Sequence, residues 1–298
     1  MQSIEINRRT LLGRTLGTAA AAAGLTTLGF GGFKHPLGAQ LYTVRSVIAK
    51  NEEETLKRIA ALGYSELETT GRDNLDLLAP VLAKYRLKAV STHLDVPMIT
   101  GKWPDGAIHP TLAQAIEIAR KHGVQYLVFP YVPPQMRGSA DGYRALADQL
   151  NEAGAQCHKA GLTLAYHNHA FEFGGAQGER PIDTLNSRLD NKLVFFELDL
   201  FWVSVAGHDP VKLLKEYKGR VPLIHLKDKK AGTPVMFDER VPKETFQEVG
   251  SGELDFPNIL RTAETVGVKH YFVEQDQTPG DPVDSLAKSY KYLRGLSL

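Results

Sequence analysis

Apolar and polar positions follow a repeating unit that begins at residue 37: a short β-prone run, a polar turn, and a stretch whose apolar residues recur every three or four positions. Leu37 to Thr43 is the first run, and Glu52 to Leu62 follows as a helix with Leu56, Ile59, Ala60 and Leu62 toward one face and Gly63 as its stop. The unit returns as a strand over Tyr64 to Glu68, a helix over Leu75 to Tyr85, and a strand over Leu87 to Thr92 that ends at His93. Beyond a breaker-rich loop with Pro97, Gly101, Trp103, Pro104 and Gly106, a helix covers Pro110 to His122 and a wholly apolar strand covers Val124 to Phe129. A helix from about Ala140 to Ala160 leads to the strand Leu162 to Tyr166, and a helix over Pro181 to Leu189 leads to the strand Leu193 to Leu198. Asp209-Pro210 opens the next helix before the strand Val221 to Ile224. A Gly-rich segment, Val249 to Phe256, and a helix over Pro257 to Val266 precede the strand Tyr271 to Val273, and Pro282 to Leu293 is the last helix.

Eight strand–helix units in one order of alternation predict parallel strands joined by helical crossovers. Eight such units close into a ring whose chemistry gathers on the loops after the strands. The predicted fold class is therefore α/β, a single-domain (β/α)8 TIM barrel over 37–298. A doubly wound sheet would place a Gly-rich turn after the first strand, and Gln40-Leu41-Tyr42-Thr43-Val44-Arg45 has none.

The first thirty residues follow another pattern. Arg8 and Arg9 precede Leu16 to Phe30, a run of mainly Leu, Ala, Gly and Thr without a charge, which resembles a twin-arginine export signal. The expectation is a signal peptide over 1–31 and a periplasmic or otherwise exported protein, with a plain N-terminal arm as the alternative. The run is too short and Gly-rich for a stable membrane span. Cutting it off removes Arg8, Arg9, Arg14 and Glu5, so the 35 basic and 34 acidic residues become 32 and 33. Near-neutral charge excludes a nucleic-acid surface, which needs concentrated Lys and Arg. The lone Cys157 excludes an internal disulfide and a thiolate metal cage.

Polar residues cluster at the strand ends: Gln40 and Arg45, Glu68, His93, Tyr131, His167 with His169 and Glu172, Asp199, His225, and Glu274. In a barrel all of them face one mouth, and an Asp/His/Glu set without Cys suits a divalent ion with open positions for substrate. Each has a plainer alternative. Asp199 could cap a turn, Glu274 could pair with a surface cation, and His225 could be a satisfied core histidine. Glu68 and His93 could bind substrate hydroxyls or brace the rim, and Trp202 suits a pocket wall.

The segments Tyr166-His167-Asn168-His169 with Glu172-Phe173, Glu197-Leu198-Asp199 with Trp202, Ala206-Gly207-His208-Asp209-Pro210, His225-Leu226-Lys227-Asp228, Gly250-Ser251-Gly252-Glu253-Leu254-Asp255, and Glu274 together resemble the sugar phosphate isomerase/epimerase group of xylose isomerase-like barrels. That group includes inosose dehydratases, hydroxypyruvate isomerases and ketose 3-epimerases, and the resemblance runs over roughly Leu37 to Leu293. It implies one divalent ion, manganese before magnesium, cobalt or zinc, held by Asp199, His225 and Glu274. The chain departs from the epimerase pattern at the fifth strand, where His167 stands in place of Glu. His167 could ligate the ion instead, and Glu172 or His169 could supply the missing proton-transfer group.

The expected function is a metal-dependent isomerase or epimerase that abstracts a proton next to the carbonyl of a small keto-sugar or polyol, through an enediolate. Glu274 or Glu172 would take the proton and His167 or His169 return it, with Glu68, His93, Trp202 and Lys227 on the substrate. One rival is a dehydratase or lyase on a keto-sugar or inosose at the same site, because a protonated histidine serves elimination. Another is a secreted, non-catalytic sugar-binding barrel using Trp103, Trp202 and Tyr131. A metal-dependent endonuclease fits poorly without a basic groove. The partners expected are a small sugar or polyol and a second copy in a homo-oligomer, with no nucleic acid and no membrane span after processing.

Overall fold

A computed structural model describes residues 33–71, 73–103 and 109–298. The export signal predicted over 1–31 and the loop residues Pro104 and Gly106 lie outside the described residues. Eight parallel strands form a closed barrel: β1 Gly38–Gln40, β2 Glu66–Thr69, β3 Lys88–His93, β4 Tyr126–Phe129, β5 Thr163–His167, β6 Val194–Asp199, β7 Leu223–Leu226 and, after a small ribbon, β10 His270–Val273, which pairs with β7 and β1. The ribbon is β8 Asp228–Lys229 against β9 Phe246–Gln247, antiparallel, at the mouth just beyond β7.

The main helices fall where the periodicity predicts them. Glu52–Leu62 is capped by the Asn51 side chain and ended by Gly63 at φ 103°, a left-handed position that suits glycine. The predicted Pro110 start moves to Leu112, because Thr111 and Gln114 form a reciprocal capping box. Other expectations need correction. The first strand stops at Gln40 rather than Thr43, since the Gln40 side chain accepts the Tyr42 N–H at 2.9 Å and turns Leu41–Val44 into a 3-10 helix. His225 lies inside β7 and not beyond it. Directly after Asp199, Leu200–Val205 forms a helix that the pattern did not predict, because the Asp199 carboxylate caps the Trp202 N–H at 3.0 Å.

Strand side chains alternate between the helical layer and the barrel interior. Inside, Val90, Tyr126, Val128, Ala165, Leu223 and Phe272 form an apolar plug. Gly38 makes room for it: a Cβ there would lie 2.3 Å from the Phe272 ring. Gly38→Ala is therefore expected to cost about 3 kcal/mol through overpacking, read as a lowered midpoint in thermal and urea denaturation. An unchanged midpoint would show that Phe272 has room to move.

Candidate active site

The register of the strands sets polar side chains above this plug. Gln40 lies opposite Glu68 and Glu68 opposite Ser91; His167 lies opposite Glu197 and Asp199 opposite His225. Three imidazoles crowd the centre. His167 and His225 ring centroids are 4.6 Å apart, His93 and His167 5.4 Å, and His93 stacks on His225 at 5.9 Å. Each turns a nitrogen to Glu197 Oε2: His167 Nδ1 at 3.0 Å, His93 Nε2 at 3.2 Å and His225 Nε2 at 3.3 Å. Glu68 braces the group from below, its Oε1 at 2.8 Å from both His93 Nε2 and His225 Nε2 and its other oxygen bound by the Ser91 hydroxyl. Burial pulls the His93 imidazole down, but Glu68 and Glu197 outweigh it and raise its pKa to about 10. His167 sits well below its usual range because of burial and the neighbouring imidazoles.

A second group lies toward the mouth. The ammonium of Lys227, itself 1% exposed, is 2.9 Å from Asp199 Oδ2, 2.7 Å from Glu274 Oε2 and 2.7 Å from Asp276 Oδ1. His225 joins the two groups, since its Nδ1 is 2.9 Å from Glu274 Oε2 and 3.8 Å from Asp199 Oδ2. Burial opposes charge on Glu274, yet Lys227 and His225 hold it far below the usual carboxylate range. Burial wins at Asp276, which is pushed up to about 6 despite Lys227.

The loop after β5 forms one wall. Asn168 bridges to β6 by accepting the Asp199 N–H at 3.0 Å and donating to the Asp199 carbonyl at 3.3 Å. The His169 ring stacks on Phe171 and meets Trp202 and Tyr131, and its buried Nδ1 has no hydrogen-bond partner among the described residues. Burial, then the Lys227 charge, lowers its pKa to about 3, so the imidazole is neutral. Glu172 uses one oxygen to accept the Tyr166 hydroxyl at 2.7 Å and the other to accept the His169 N–H at 2.8 Å, and burial raises its pKa to about 8. Beside the mouth, a cleft of about 430 Å³ runs past Phe246, Gln247, Gln277 and Thr278. Phe246 stacks on Phe201 and meets Trp202 edge-on.

The structure thus brings together Asp199, His225, Glu274 and His167, the predicted ligands, with Glu68, His93 and Lys227 among them, while Trp202 and His169 line the wall. Glu172 faces away, into the hydrogen bonds that shape the loop. Sequence reasoning gave no role to Glu197 or Asp276. For Glu197 the signal was the period of two, since a residue two before an inward-facing Asp199 shares its face. Asp276 follows the last strand, so no strand period places it.

The donor atoms suit a divalent ion. His93, His167, Glu197 and His225 form one set and Asp199, His225 and Glu274 another, each with its atoms within 4.8 Å of one another. Among the described residues, buried Glu197 Oε1 has no hydrogen-bond partner, and buried Asp199 Oδ2 has none beyond its ion pair with Lys227 Nζ at 2.9 Å. Oxygen and imidazole donors with spare lone pairs meet the coordination preferences of zinc, manganese or cobalt.

An eight-stranded barrel with such a donor cluster at its mouth defines the class, and the whole-chain comparison is specific: residues 19–296 match the xylose isomerase-like TIM barrel family, to which this chain belongs. Among curated relatives, the inosose dehydratase of Clostridium perfringens (strain 13 / Type A) is 31% identical over 162 residues, 51% of this chain and 54% of the relative. The chain spans about half the length of the curated relatives it matches. A sugar phosphate isomerase/epimerase from Parabacteroides distasonis superposes with a TM-score of 0.72 at 23% identity, over 93% of this chain and 97% of that one. The IOLI protein with a bound zinc atom superposes at 0.67 and 16% identity, over 88% and 99%. The two groups of His, Asp and Glu donors could each hold a metal ion. No helix among the described residues is long and apolar enough to cross a membrane.

Proposed function

We propose that the chain removes the proton next to the carbonyl of a small keto-sugar or inosose and then expels a β-oxygen, as a metal-dependent dehydratase or lyase. The observation that carries this reading is the strand-five wall. The position where epimerases place a second carboxylate holds His167, Glu172 is spent on Tyr166 and the loop backbone, and His169 offers a bare Nδ1. The inosose dehydratases among the relatives support the same outcome.

In this scheme the carbon-bound proton passes to His169 Nδ1, the electron pair of the broken C–H bond becomes the new C=C bond, and the β C–O bond breaks. The imidazolium then returns its proton to the departing hydroxyl, which leaves as water, so one base serves both transfers. Lys227 opposes negative charge that develops on the carbonyl oxygen, and Trp202 packs the sugar face. A divalent ion held by the imidazole and carboxylate cluster would supply Lewis-acid polarisation of the carbonyl. A second reading, isomerisation or epimerisation, draws on Glu274, a second proton-handling group that follows β10 as His169 follows β5.

Incubation of metal-loaded protein with a panel of keto-sugars and inososes in deuterated water, followed by NMR, tests the proposal. An unsaturated keto product is expected. Deuterium at one carbon without loss of water would instead establish the isomerase, and sugar binding unaffected by chelator with no turnover would leave a binding barrel. The Arg8-Arg9 pair before an uncharged run supports an exported location. Replacing both arginines by lysine is expected to retain the protein in the cytoplasm.

A further inference from the structure

We infer that the segment from Lys230 to Pro242 is a strap along the mouth and that Glu239 is its latch, a positioning residue that sets the wall carrying His169. This inference rests on the proposed role of His169 and adds to it the device that holds the imidazole in place.

The strap leaves the ribbon at β8 and has neither helix nor strand until the 3-10 turn Lys243–Thr245 that leads into β9. Loops of more than about 12 residues without regular structure are commonly functional. Rooted beyond β7, the strap meets the segments after β6, β5 and β4. The Met236 N–H donates to the Val205 carbonyl at 3.0 Å. Val235 packs over Gly207, where a Cβ would lie 2.9 Å from it, and Phe237 packs over Gly174, where a Cβ would lie 3.4 Å away. These apolar contacts grip weakly, because Val235 and Phe237 remain 59% and 48% exposed.

The firmer hold is polar and joins the strap to the loop after β4. Arg137 donates from Nη1 to Glu239 Oε2 at 2.7 Å and from Nη2 to Oε1 at 3.2 Å, and the Tyr131 hydroxyl donates to the same Oε1 at 2.9 Å. The guanidinium is itself fixed by its Nε–H, which donates to the Val132 carbonyl at 2.7 Å. With side chains only 18% and 25% exposed, this two-pronged pair is better shielded than an ordinary surface ion pair.

The latch reaches His169 through two rings. The Arg137 guanidinium carbon lies 3.4 Å from the centroid of Phe171, the ring on which His169 stacks. Tyr131, held by Glu239, meets both His169 and Phe171 edge-on. His169 Nδ1 has no hydrogen-bond partner among the described residues to orient it, so the imidazole takes its direction from these aromatic neighbours and Trp202. A shut latch fixes both rings, and with them the nitrogen that must meet the substrate proton within ångström tolerance.

Trypsin digestion of the folded full-length protein tests the latch, because the strap carries cleavable bonds after Lys230 and Arg240 and cleavage follows the population of the open form. Circular dichroism and melting curves confirm that each variant is folded. Glu239→Gln and Arg137→Met are each expected to speed cleavage there about 10- to 100-fold, the effect of losing a charge-assisted pair. The double variant should be no faster than the quicker single, since both remove one interaction. In protein with isotope-labelled histidine, Glu239→Gln is expected to shift or broaden the ring signal that His169→Phe removes. Against the substrate found by NMR it should lower kcat about 10-fold with little change in KM, yet add almost nothing to the loss caused by His169→Phe. A merely structural pair would slow both backgrounds equally. Cleavage within about twofold of wild type, an unmoved His169 signal, or an equal fall in the His169→Phe background overturns the latch and leaves the proposed function standing. Wild type without turnover overturns the proposed function alone, since cleavage and the ring signal need no substrate.

Discussion

His169→Phe is expected to lower kcat by about 10²–10⁴ while leaving the folded protein nearly as stable as wild type, the size of effect associated with loss of a positioned acid–base group. The substitution keeps an aromatic ring between Phe171, Trp202 and Tyr131 and removes only the nitrogens. The backbone N–H that binds Glu172 is unaffected, so the loop keeps its anchor. Because Nδ1 has no partner among the described residues, its removal leaves none of their buried groups unsatisfied. Steady-state kinetics with the substrate found by NMR, alongside thermal melts, make the measurement. A kcat within about threefold of wild type would remove His169 from the proton path, and a large fall in melting temperature would mark it as a structural ring.

Asp228→Ala is expected to destabilise the protein by about 3–5 kcal/mol. Its buried carboxylate accepts four backbone N–H groups, from Lys229 at 2.8 Å, Gly250 at 2.9 Å, Gly252 at 2.8 Å and Leu254 at 3.2 Å. Alanine would strand these donors, of which the Lys229 amide is buried and the other three part-buried, and an unsatisfied buried amide costs about 1–3 kcal/mol. The fit around this carboxylate is close enough that a Cβ on Gly252 would lie 2.3 Å from Asp228 Oδ1. That contact accounts for a glycine opposite the aspartate where the two loops meet. Asp228→Asn, which keeps one acceptor oxygen, should fall between the two. Urea denaturation at neutral pH measures the difference, and a loss below about 1 kcal/mol would show that water can replace the carboxylate. Since Lys227 is the next residue, the same variant should also disturb the outer carboxylate group and reduce kcat.

The barrel itself was legible in the chain. Period-two runs and helical stripes separated by Gly63, Gly123 and Gly161 carry their own local physics, so the order of strands and helices follows from residues close in sequence. Strand boundaries were less so. Gln40 ends β1 with a side-chain-to-backbone hydrogen bond, and Asp199 caps a helix while facing the site, both decided by the competition of polar side chains for nearby amides.

The amino-acid sequence by itself determined that imidazoles and carboxylates would stand at the ends of successive strands, because alternation and the direction of the crossovers leave one mouth for all of them. Only the tertiary structure decided which of these groups touch. Strand register set Glu197 beside His167, loop hydrogen bonds turned Glu172 away, and packing buried the Lys227 ammonium among Asp199, Glu274 and Asp276. Those contacts join residues from 6 to 49 positions apart, and they depend on ångström-scale register and desolvation that no local pattern encodes.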